Sequence, residues 1–90
     1  MQPPRKIDGA TVLEWAWSDV PFGYVGGDAG PAIHGLALCQ YEGSFKVYRF
    51  SCNVNWETQQ DMDYASLDEA RSMLPAQYRR VRVSWHSTLR

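Results

Sequence analysis

The chain has 90 residues, 44% of them apolar and 21% charged, with 9 basic against 10 acidic side chains. That is the size of one domain with its own core, too apolar for a disordered segment and too near neutrality for a dedicated nucleic-acid coat. The longest uninterrupted apolar run, Leu36–Cys39, is four residues, against the roughly 20 a membrane-spanning helix needs, and no apolar stretch follows Arg5 and Lys6 as a secretory leader would require.

Residues 1–9 carry Pro3, Pro4 and mixed charge without apolar periodicity. They read as a flexible tail ending in an Asp8-Gly9 turn, with a single domain over 10–90. Residues 11–17 alternate as a strand does, placing Leu13, Trp15 and Trp17 on one side and Val12, Glu14 and Ala16 on the other. Residues 18–31 contain four glycines and two prolines and read as a long loop. Residues 32–41 and 45–53 read as two strands joined by a tight turn through Gly43. Parity puts Ile33, Gly35, Ala37, Cys39, Tyr48, Phe50 and Cys52 on one face, with Leu36, Leu38, Val47, Arg49 and Ser51 on the other. Small residues opposite Tyr48 and Phe50 predict that a helix docks on the first face.

Residues 54–70 hold Glu57, Asp61, Asp63, Asp68 and Glu69 and no Lys or Arg. They read as an acidic loop running into a helix. Ser66 and Glu69 form a capping box, and Asp68 and Glu69 suit the positive first turn. Leu67, Ala70 and Leu74 recur on one helical face until Pro75 ends the hydrogen-bond ladder, and Pro75 can open a further turn through Tyr78. In the last strand, 80–86, Val81, Val83 and Trp85 alternate with Arg80, Arg82, Ser84 and His86. These elements predict an α+β domain: an antiparallel sheet of about four strands with one helix packed on one face, in the order β-β-β-α-β.

Catalytic and metal chemistry finds little support. Cys39 and Cys52, on opposite arms of the hairpin, fall about four residues out of register, or ~13 Å at the usual rise per strand residue, too far for a disulfide. Two buried free thiols suit a reducing cytoplasm. Cys39, Cys52, His34 and His86 form no CxxC or HxxxH pair, so no metal site is expected. Asp61-Met62-Asp63 resembles the start of a calcium loop, but Ser66 stands where that loop needs glycine. The segment Gly23–Gly30 lacks the Lys-Ser/Thr of a phosphate loop and carries Asp28. No spacing demands a nucleophile-base pair, so neither catalysis nor a cofactor is expected.

What remains is a small cytoplasmic protein-binding domain of interaction or inhibitor type. Trp15, Trp17 and Trp85 are assigned to the core, while Trp56, Glu57, Asp61 and Asp63 form the expected surface for a basic protein partner. Homodimerisation is a variant of the same reading. One alternative is nucleic-acid binding through Tyr78, Arg79, Arg80 and Arg82, where arginines meet phosphates and the tyrosine stacks on a base. The other is a small-ligand binder or enzyme with Gly23–Gly30 as lid.

Overall fold

In the computed structural model, which describes residues 1–88, the chain runs β1 (Lys6–Ile7), β2 (Ala10–Trp17), β3 (Gly23–Tyr24), β4 (Ala32–Ile33), β5 (Gly35–Gln40), β6 (Val47–Cys52), β7 (Thr58–Tyr64), α1 (Leu67–Ser72), a 3-10 turn (Ala76–Arg80) and β8 (His86–Ser87). Six of these strands make one antiparallel sheet in the order β1-β2-β5-β6-β7, with β8 sharing the outer edge of β2 with β1. β3 and β4 form a separate two-stranded ribbon.

This strand-rich architecture replaces the expected α+β domain of about four strands. The largest source of the difference is β7. Its sequence TQQDMDY is poor in strand-forming residues, yet an edge strand tolerates outward charge, and Tyr64 buries its ring at the end. The expected tail contributes β1, whose Ile7 is buried. The Asp8-Gly9 turn forms as expected, with φ +51 and +84 joining Ile7 to Ala10, the backbone a two-residue hairpin needs. The expected strand over 80–86 is mostly unpaired. Val81, Val83 and Trp85 do face inward and Arg82 and Ser84 outward, but ladder pairing begins only at His86.

A bulge in β2 resets the faces. Val12 pairs with Cys39 and Glu14 with Leu38, so Leu13 is an extra residue. Beyond it the parity reverses, and Trp15 and Trp17 join Val12 rather than Leu13. The hairpin faces follow the expected parity over β5 and β6 but not before them: β4 carries Ile33 to the second face, and His34, expected beside Leu36, lies against Trp17 on the first. One face of the sheet buries Ile7, Val12, Ala37, Cys39, Phe50, Cys52 and Trp56. The other buries Leu36, Leu38, Val47, Tyr64, Ala70, Leu74 and Tyr78.

α1 packs on this second face, not on the first as expected. The tryptophans already fill the space over the small residues of the first face. The branched side chains Leu36, Leu38 and Val47 would otherwise be exposed on the second. Electrostatics reinforces the choice, because Glu14 is nearly buried there and grips Arg71 of α1 through two hydrogen bonds. That contact raises the Arg71 pKa further above its ordinary value. Ser66 Oγ accepts from the Glu69 amide at 3.1 Å, while the Glu69 carboxylate reaches the amide of Ala65 rather than that of Ser66. The helix closes at Ser72, two residues before the expected Leu74.

Candidate functional site

The acidic residues stand in line along the outer strand of the sheet. Among the described residues no strand pairs with the far side of β7. Asp61 lies opposite Phe50 and Asp63 opposite Tyr48, both exposed, while Met62 faces the other way and is 52% exposed. Lys46 holds Asp63 at 3.1 Å and keeps its carboxyl below the ordinary carboxylate range. Glu57 is exposed and accepts a 2.8 Å hydrogen bond from Asn53 Nδ2.

Trp56 does not join them. The loop from Asn53 to Glu57 is tied by Asn53, whose side-chain oxygen accepts from the amides of Asn55 and Glu57 and whose backbone oxygen accepts from the Trp56 amide. This leaves Trp56 at φ +60, the left-handed position that ends many three-residue hairpin loops and that usually goes to Gly or Asn. From there the ring turns inward and is 6% exposed. It lies over Gly35, where an added Cβ would come within 2.5 Å of the ring. Trp56 is therefore the anchor of the loop rather than part of the exposed acidic line.

The arginine constellation is likewise divided. Tyr78 is fully buried, and its hydroxyl donates to Ser51 Oγ at 3.1 Å. It offers no face to a nucleic-acid base. Arg79 is exposed and donates to the Ser72 carbonyl at 3.0 Å, and Arg80 and Arg82 point to solvent. Arg90, the last basic residue of the sequence, lies outside the described residues.

Sequence parity set Arg49 on the right face but gave no sign that its charge is buried. It is 2% exposed, donates to Ser51 Oγ and Tyr64 Oη, and lies 5.8 and 5.5 Å from the ring centres of Tyr64 and Tyr78. Among the described residues no carboxylate pairs with it. Cation–π contact and hydroxyl acceptors take the place of a counterion. Phe45, which strand parity sets on the same face as Val47 and Arg49, instead lies before β6 and is 94% exposed.

Cys39 and Cys52 are buried and unpaired, as the register argument requires, and desolvation pushes both thiols up to about 12. Both stay protonated at neutral pH, a poor state for a nucleophile or a metal ligand. Among the described residues no three His, Cys, Asp or Glu side chains gather as metal ligands would. No helix among them is long and apolar enough to cross a membrane.

The first face also carries a continuous aromatic row. His86 stacks on Trp15 at 4.4 Å, Trp15 meets Trp56 edge-on at 6.2 Å, Trp56 meets Trp17 at 5.5 Å, and Trp17 meets His34 at 6.0 Å. A groove of about 640 Å³ opens at its His86 end, lined by Pro3, Pro4, Arg5, Trp15, His86 and Thr88 among others. The Gly23–Gly30 segment does not line it. Comparison with protein-family models, with curated proteins and with solved structures finds no match for this chain.

Proposed function

We propose that this chain is a non-catalytic, cytoplasmic protein-binding domain that takes an extended basic segment of a partner protein along β7. The observation carrying the reading is the outer edge of that strand, unpaired among the described residues, with Asp61 and Asp63 exposed on one side of it. An incoming strand gains main-chain hydrogen bonds from such an edge, and alternate side chains supply selectivity. Lysines or arginines two residues apart would meet the two carboxylates. A second copy is disfavoured, because antiparallel pairing centred on Met62 sets Asp61 against Asp63 of the other chain. The unpaired thiols support a reducing compartment. The arginine alternative is weaker, since Tyr78 is inside the core.

The test is amide exchange by NMR with synthetic strands. A peptide alternating lysine and valine should protect amides over residues 58–64, and its glutamate counterpart should not. The double substitution Asp61→Lys, Asp63→Lys should abolish that protection without lowering the melting temperature much, as both side chains are exposed. Protection that is absent, or equal for the two peptides, would overturn the reading.

A further inference from the structure

We infer that the groove between the N-terminal segment and β8 binds a small planar aromatic anion, a ring bearing a carboxylate or phosphate. The groove is a product of the β2 bulge. β1 pairs with β2 at Ala10 and Thr11, and β8 pairs with it at Glu14 and Trp15, so two short strands share one edge and leave Val12 and the extra residue Leu13 between them, with Val12 lining the groove. Both walls are fixed to this stretch. The Arg5 carbonyl accepts from the Val12 amide at 2.9 Å. On the other side Thr88 Oγ1 donates to the Val12 carbonyl at 2.7 Å, and the Thr88 amide donates to the Leu13 carbonyl at 3.0 Å. Bulges often re-aim a side chain beside a binding site, and this one brings Trp15 to the groove.

Three properties define the ligand. The volume of about 640 Å³ falls within the roughly 300–1,000 Å³ range of small-molecule sites. Among the described residues the lining contains Arg5 and His86 and no carboxylate. Glu14, the acid of the same strand, is held away by Arg71. The groove is thus the cationic counterpart of the acidic β7 edge, on a chain of net charge −1. Finally, His86 is exposed, and one side of its ring is already stacked on Trp15. A planar ring extends that stack on the open side of His86, and its anionic group meets the Arg5 guanidinium. Trp15 is braced from behind by Trp56, so the platform is set before a ligand arrives.

Titrations with naphthoate and with adenosine monophosphate, read by tryptophan fluorescence and by NMR shifts, separate the two sources of such an anion. Adenosine and inorganic phosphate supply ring and charge alone. Saturable binding of either anion, with shifts centred on Arg5, Trp15 and His86, supports the site, and the tighter of the two names its class. Arg5→Gln should weaken the anion about tenfold, the order expected for one charge-assisted contact, while leaving adenosine unchanged. His86→Ala, an exposed change, should remove the preference for a ring over phosphate. Three results would each overturn the inference: no saturable shift at millimolar concentrations, phosphate binding as tightly as the aromatic anions, or shifts centred outside the groove. The outcome is independent of the peptide experiment on β7.

Discussion

The two faces of the central sheet are closed by opposite means. On one, Trp15, Trp17 and Trp56 cover small residues, and the fit is close enough that Gly35 has no room for a Cβ under Trp56. The indole nitrogen of Trp56 is buried there without a hydrogen-bond partner among the described residues. On the other, the guanidinium of Arg49 is enclosed with Ser51, Tyr64 and Tyr78, and each named polar group finds another. The first face depends on volume and shape, the second on satisfied hydrogen bonds. Removing atoms from the first leaves a cavity, whereas removing a partner from the second leaves a buried polar group stranded.

Trp56→Ala should produce the largest loss, about 3–5 kcal/mol by the usual cost of truncating a buried aromatic, read from denaturant melts. A loss below about 1 kcal/mol, small for a buried large side chain, would show that the tryptophans do not carry their face. Tyr64→Phe removes one hydroxyl acceptor from Arg49 and almost no volume. It should cost about 1.5–3 kcal/mol, the range for a hydrogen bond to a charged group. In an Arg49→Met background the same change should cost less, because the charge it serves is gone. Equal costs in both backgrounds would remove the distinction between the faces. The smallest effect belongs to neither face: Ser66→Ala should cost about 1 kcal/mol as a helix-cap loss, seen as a parallel shift of the same melts.

What the sequence determined by itself was local. The Asp8-Gly9 turn, the faces of β5 and β6, the separation of Cys39 from Cys52 and the Ser66 cap each follow from a turn's dihedral needs, a strand's two-residue period or the unsatisfied amides of a helix's first turn. Of the candidate site, the same local reading found Glu57, Asp61 and Asp63, which are exposed because nothing in their chemistry favours burial. Tertiary structure decided the rest. One extra residue at Leu13 reversed the parity of β2, and only pairing with β5 reveals it. Trp56 and Tyr78 went into the core because Gly35 leaves room for one and Ser51 receives the other. Neither neighbour is close in sequence. The sheet edge made β7 a strand against its own propensities. The Arg5–His86 groove exists because chain ends some 80 residues apart, on either side of the intervening β2–β7 strands, converge on one strand. Local period and turn chemistry are fixed by neighbours along the chain. Which face is covered, and by what, is set by volume and partner satisfaction between residues that meet only on folding.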